Sequence, residues 1–457
     1  MNKKKINSSF RDPSGFLFTD NDRLLRQVNK VYKENYDLLM SSGLYQKLSS
    51  QKLLISHQET KDSKYLSEEA YLVIEPERIK TISYPYEWSF SQLKDAALLT
   101  LKIQKLSLEH GLILKDASAY NIQFLNGSPI LIDTLSFEKY RPGQTWTAYK
   151  QFCQHFLAPL ALMSYQDLSL GQMSRLFIDG IDLSLASKLL PKTSKLNFSL
   201  LTHVHLHAKS QRYYADKKIN TKEKNISQRS LEALIDSLES SIKKLKFPHA
   251  HTEWEEYYTF TNYSDKAFNY KKDLIKKFLA DLRPDYVWDL GGNTGVFSRL
   301  ASDQGIDTIC FDIDQIAVEK NYLDVKKNKE KHILPLFLDL TNPSPNIGWA
   351  NNERDSWTKR GPAHTLMALA LVHHLAISNN LPFEKIAEYF STLGHNLIIE
   401  FVPKEDSKVQ KLLATRDDIF DKYDRDNFEK EFSKYFKILK SEKILESNRI
   451  LYLMTKN

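Results

Sequence analysis

The chain has 457 residues, 42% hydrophobic and 12% aromatic, which is more than a single core usually organises, so two domains are expected. Its two cysteines, Cys153 and Cys310, show neither metal-ligand nor disulfide-framework spacing, and no apolar run has bilayer or signal-peptide length, which together point to a cytoplasmic protein without a membrane partner. The net charge of +7 is largely local, since residues 208–229 hold seven Lys/Arg against two acids, and nucleic acid is therefore a partner that is open but not favoured.

No fixed-period repeat is present, which excludes solenoids and propellers. Residues 1–205 read as an N-terminal α+β domain. Helical patterns cover residues 21–39 and 91–110, and short apolar runs at 70–74 and 129–132 read as strands. The segment HGLILKDASAYNIQFLNGSPILIDTLSFE sets Asp116 and Asn121 five apart and places Asp133 at the end of an apolar run. That arrangement resembles the catalytic loop and metal-binding acid of protein-kinase-like and aminoglycoside-phosphotransferase-like folds. The resemblance implies that Asp116 positions an acceptor hydroxyl while Asn121 and Asp133 hold magnesium. The departures are a missing G-x-G-x-x-G loop, no lysine-bearing third strand, Leu114-Lys115 for His-Arg, and Thr134-Leu135 for Phe-Gly. A degenerate, kinase-like lobe that binds substrate is the preferred reading, with three capping residues of a turn as the plain alternative.

Residues 206–250 read as a basic linker followed by an amphipathic stretch, 230–245, that leads into the second block. Within residues 251–457 the apolar runs become regular: YVWDL, DTICFDI, HILPLFLDL, HTLMALALV and NLIIEFV. Helical segments at 295–303, 315–326, 383–393 and 407–416 separate several of them, so a parallel sheet covered on both faces follows. The last two runs, 436–444 and 449–454, are joined by a few polar residues and form an antiparallel hairpin.

DLGGNTG, residues 289–295, occupies the turn after the first of these strands, where a ligand meets the strand ends. Gly291, Gly292 and Gly295 allow close backbone approach beside Asn293, and Asp289 supplies an acid at the strand end. Asp312 ends the next run 23 residues later, a spacing suited to a ribose diol. Asp314 is an alternative ribose partner or a helix cap. Asp339 and Leu340 follow the third run, suited to an adenine amino group and ring. The order DLGGNTG, CFDID, LDL, ALVHH resembles motifs I to IV of class I S-adenosylmethionine-dependent methyltransferases. The resemblance implies a Rossmann-like seven-stranded α/β sheet and S-adenosylmethionine as cofactor; the loop lacks the dinucleotide spacing G-x-G-x-x-G. The segments FRDPSGFLF, LALVHHLAISNNLPFEKIAEYF and IIEFVPKEDSKVQKLLATRDDIF are similar to a bacterial two-domain family of methyltransferases that includes nodulation-associated members.

The fourth run ends at His373 and His374, where an imidazole can take a proton from a hydroxyl or amine, and Glu400, late in the fifth, can orient it or act itself. A histidine in such a context is also frequent without a catalytic role. No Asn-Pro-Pro-Tyr-type motif or catalytic cysteine stands there, and no resident metal is suggested. The expectation is O- or N-methylation of an acceptor on a small molecule, glycan or protein that the sequence does not identify. The rival readings are an ATP/magnesium phosphotransferase in the N-terminal block, and a cofactor-binding protein without turnover.

Overall fold

Strands that are apolar on both faces bury both, and β10 (Tyr286–Leu290), β11 (Asp307–Asp312), β12 (Ile333–Phe337), β13 (Ala363–Ala368) and β14 (Gly394–Phe401) do so side by side. With the hairpin β15 (Phe436–Lys443) and β16 (Ile450–Lys456) they make a seven-stranded sheet in the order β12-β11-β10-β13-β14-β16-β15. All pairs from β12 to β14 are parallel, whereas β16 runs antiparallel to both β14 and β15. Five parallel strands closed by an antiparallel hairpin are the sheet expected from the sequence. On one face the helix Asp265–Leu282, capped by Ser264, lays Ala267, Leu274, Ile275, Phe278 and Leu279 at helical spacing against Met367, Ile398, Leu451 and Leu453. Elsewhere in the unit Trp288 and Trp357 pack with ring centroids 3.8 Å apart.

This computed structural model describes residues 3–61, 66–207, 209, 226–248, 264–414 and 416–457. The chain divides into two compact units, residues 1–249 with 346–354, and residues 250–345 with 355–457. Among the described residues no helix is long and apolar enough to cross a membrane.

The first unit carries an antiparallel five-stranded sheet in the order β1-β2-β3-β5-β4, from Lys3–Lys5, Gly15–Asp20, Arg23–Asn29, His57–Thr60 and Ala70–Pro76 for β1 to β5. Helices Lys33–Ser41 and Leu44–Ser50 stand between β3 and β4. The long helix Phe90–Glu109 begins at a capping box, Ser89 with Gln92. It leads to β6 (Leu112–Leu114) and the hairpin β7 (Ile122–Leu125) and β8 (Ser128–Leu131), and β9 (Phe137–Lys139) pairs back onto β6.

Three expectations are corrected. Residues 21–39 are not one helix: Asn21, at φ 54°, turns the chain between Asp20 and Arg23, and β3 precedes the helix Lys33–Ser41. Leu25, Arg26, Gln27 and Val28 of β3 are all buried, so no alternation advertised a strand. The span 295–303 forms regular helix only over Arg299–Ser302, and Gly295, at φ +80°, stands outside it. The domain boundaries also shift. Helix Gln228–Lys244 belongs to the first unit, where Lys105 pairs with Asp236 and Glu239, while most of the basic stretch before it lies outside the described residues. Residues 346–354, expected in the second domain, also belong to the first unit: Arg11 pairs with Glu353 at 2.7 Å and Arg354 lies 4.3 Å over the Tyr120 ring.

If Gln228–Lys244 is core rather than linker, Leu238→Ala, at a fully buried position, is expected to cost about 2–5 kcal/mol in urea unfolding of the full chain. A linker helix would lose well under about 1 kcal/mol.

Candidate functional site

The carboxyl ends of β10, β11 and β12 and the chain beyond β13 surround a cavity of about 290 Å³. Its glycine turn follows β10. Gly291 sits at φ +73°, and a Cβ on Gly292 would stand 2.5 Å from Cys310 Sγ and 2.9 Å from an Asp289 oxygen, so the turn takes backbone where a side chain would collide. The Asn293 amide donates to Asp312 Oδ2 at 2.7 Å and the Gly292 amide to the Phe311 carbonyl at 2.8 Å, tying the turn to β11.

Asp289, Gly291, Gly292, Asn293, Asp312, Asp339 and Leu340 all line the cavity. Gly295 does not; it shapes the turn against Asn321 and Arg299. Asp289 accepts from Ser298 Oγ at 2.6 Å, and burial pushes its carboxyl up to about 7 against the pull of that bond and of Lys271. Burial raises Asp312 to about 6, although the Asp314 and Asn293 amides favour its charged form. Asp314 caps the helix Gln315–Asn328 through the Ile316 amide. Asp339 Oδ1 accepts from the amide and the hydroxyl of Thr341 at 2.8 and 2.6 Å.

His374 lines the cavity, and His373 stands behind it with ring centroids 4.1 Å apart. Burial lowers both imidazoles, His374 to about 4, so both are neutral at pH 7. The Nδ1 of His373 is buried without a hydrogen-bond partner. Glu400 is corrected: it does not line the cavity and is fully buried, accepting from Lys271 Nζ at 2.5 Å and from Arg449 Nη1 at 3.3 Å. Two cations occupy it, so it stands as a counter-ion and not as a base at the rim.

In the first unit Asp116, Asn121 and Asp133 converge. Asp116 accepts from the Ser118 amide at 2.9 Å and is hydrogen-bonded by the Asn121 and Gln151 side chains; burial and then Asp133 raise its carboxyl. Asp133 accepts from the Leu135 amide and the Ser136 hydroxyl, and Arg26 of β3 pairs with it at 2.5 Å. Burial would raise Asp133, but Arg26 and these bonds hold it below the usual carboxylate range. Asn121 Nδ2 donates to Ser136 Oγ at 3.4 Å.

No protein-family model matches the chain. The nodulation protein NoeA of Rhizobium meliloti (strain 1021) is 34% identical over 461 residues, spanning 98% of this chain and 95% of its own length. The chain belongs to the NoeA family. Among solved structures it is similar to magnesium protoporphyrin IX methyltransferase (ChlM) from Synechocystis PCC 6803 with bound SAH, at 15% identity, 42% of this chain, 84% of that chain and TM-score 0.31. It is also similar to the methyltransferase domain of bacterial CtHen1-C, at 18% identity, 42% and 99% coverage and TM-score 0.32, and to WbdD, at 16% identity, 45% and 43% coverage and TM-score 0.30.

Two residues of this NoeA-family chain escaped the sequence reading. Lys271 lines the cavity while only 2% exposed. Its signal was available, because residues 267, 271, 274, 275 and 278 share one helical stripe and a lysine interrupts four apolar positions. Arg26 was hidden by reading β3 as helix.

The folded chain holds a proton on Asp289 that the unfolded chain releases near its ordinary value of 3.8. That contribution to stability is complete below about pH 4 and lost as pH rises through about 7. Urea unfolding of wild type and Asp289→Asn should therefore show wild type losing about 2–4 kcal/mol relative to the variant between about pH 4.5 and about pH 8. A constant difference across that range refutes the assignment.

Proposed function

We propose that this NoeA-family chain is an S-adenosylmethionine-dependent methyltransferase acting on an O or N acceptor carried by a small molecule, a glycan or a protein. One observation carries the reading: acids from the ends of three successive parallel strands line one cavity together with a glycine turn that a Cβ would obstruct. Asp289 suits the cationic end of the cofactor, Asp312 the ribose diol, and Asp339 with Leu340 the adenine. Bound there, S-adenosylmethionine supplies an electrophilic methyl group on a sulfonium. The protein then has mainly to align the acceptor and exclude water. His374, a neutral imidazole on the cavity wall, is the group proposed to receive or orient the acceptor's proton, with His373 fixing it from behind. Both cysteines are buried and unpaired, which suits the cytoplasm as the proposed location. Nucleic acid is not the proposed acceptor.

Calorimetry on the full chain is expected to detect S-adenosylmethionine binding, and Gly291→Arg to abolish it. Once an acceptor is found, by a mass gain of one CH2 in extract treated with enzyme and cofactor, His374→Ala is expected to slow turnover about tenfold or more. Unchanged turnover in both His373→Ala and His374→Ala removes the imidazoles from the chemistry. Cofactor binding with no turnover on any acceptor would instead fit a non-catalytic binding protein.

A second reading is favoured by the convergence of Asp116, Asn121 and Asp133 below a five-stranded antiparallel sheet whose third strand brings a cation, Arg26, to Asp133. Kinase-like lobes place a lysine on that strand and a metal-binding acid opposite. In this reading the first unit binds a magnesium nucleotide, and the chain is a phosphotransferase or a bifunctional enzyme. ATP binding that requires magnesium and disappears in Asp133→Ala is the expected result; no ATP binding by wild type overturns it.

A further inference from the structure

We infer that Lys271, held by Glu400, is a positioning residue that anchors the carboxylate of the methyl donor's amino-acid end and makes the site selective for a donor carrying that group. The inference rests on the donor reading above and starts from charge. Among the described residues lining the cavity, Lys271 is the one lysine or arginine, against the acids Asp289, Asp312 and Asp339. Those acids suit an ammonium, a diol and an amino group. A carboxylate needs a cation or a hydrogen-bond donor; Asp312 and Asp339 offer neither as carboxylates, and Asp289 offers a donor only while it keeps its proton.

The placement of Lys271 is costly. Its side chain is 2% exposed, Nζ lies 4.4 Å from the Phe297 ring centroid, and burial lowers its pKa. A surface lysine on an amphipathic helix carries its ammonium outward to water; this one turns inward from the apolar stripe of Asp265–Leu282. Burying an ion costs several kcal/mol, and apolar replacements of buried pairs are often neutral or stabilising. Stability alone therefore gives little reason for a cation at this wall. Glu400 is the support that keeps it there: one oxygen accepts from Lys271 at 2.5 Å and the other from Arg449 at 3.3 Å. Arg449 is in turn held by both oxygens of Asp406, at 2.8 and 3.1 Å. The ammonium is thus fixed in direction before any ligand arrives.

The test compares S-adenosylmethionine with its decarboxylated analogue by calorimetry on the full chain, in wild type and in Lys271→Met. Wild type is expected to bind S-adenosylmethionine about tenfold to a hundredfold more tightly than the analogue, the size of a charge-assisted bond, and Lys271→Met to bind the two alike. A merely structural lysine would weaken both ligands equally and leave their ratio intact. Equal binding of the two ligands by wild type overturns the inference without any variant, so a misfolded Lys271→Met does not shelter it. Discrimination that persists in a folded Lys271→Met also overturns it. Wild type that binds neither ligand sinks the donor reading itself.

Discussion

The position of β10 governs the second unit. Its neighbours are β11 on one side and β13 on the other, so the chain leaves β10 toward one edge and returns to its other flank only after two further strands. Connections that part in opposite directions leave a crevice at the carboxyl ends. Open backbone in a crevice must be satisfied by something other than the sheet ladder. Here the Gly292 amide reaches the Phe311 carbonyl and the Asn293 amide reaches Asp312. Asp312 therefore holds the turn and lines the cavity at once, and burial of both Asp289 and Asp312 accounts for their raised carboxyls.

Most of that architecture was legible in the residues. YVWDL coincides with β10, and the helix read at 383–393 is the one observed, Phe383–Leu393. Such agreement is expected where strands are buried on both faces, because continuous apolar runs bounded by turns leave few alternatives. The acids at the strand ends were legible for the same reason: each marks where an apolar run stops. Glu400 was misplaced because a strand position says nothing about which partners wait on the neighbouring elements. Lys271 comes from a helix that precedes the sheet, and Arg449 lies just before β16; their meeting at Glu400 is tertiary and left no local spacing to read.

The first unit was harder for a different physical reason. Its third strand buries a charged and an amide side chain, Arg26 and Gln27, beside Leu25 and Val28, so neither the two-residue period of a half-buried strand nor a plain apolar run survives. Gln27 donates to Asn29 and Ser67, and Arg26 pairs with Asp133. The sheet is built around polar partners that only the fold brings together. The five-residue spacing of Asp116 and Asn121 could be read because it is local.

Both units thus bury a cation against a carboxylate, but the two pairs differ in what the acid has left to give. Asp133 receives Arg26, the Leu135 amide and the Ser136 hydroxyl, and its pKa is held low. A magnesium ion recruited there would share the carboxylate with the Arg26 guanidinium. Arg26 and the Leu135 amide lie on Oδ1 and the Ser136 hydroxyl on Oδ2, so a metal would meet an acid most of whose acceptor capacity is already used. In the second unit the order is reversed. Glu400 is committed to Lys271 and Arg449, and it is the cation that lines the cavity. A buried pair whose acid and base satisfy only each other has no route to a ligand; Lys271 differs in that its side chain also borders the cavity.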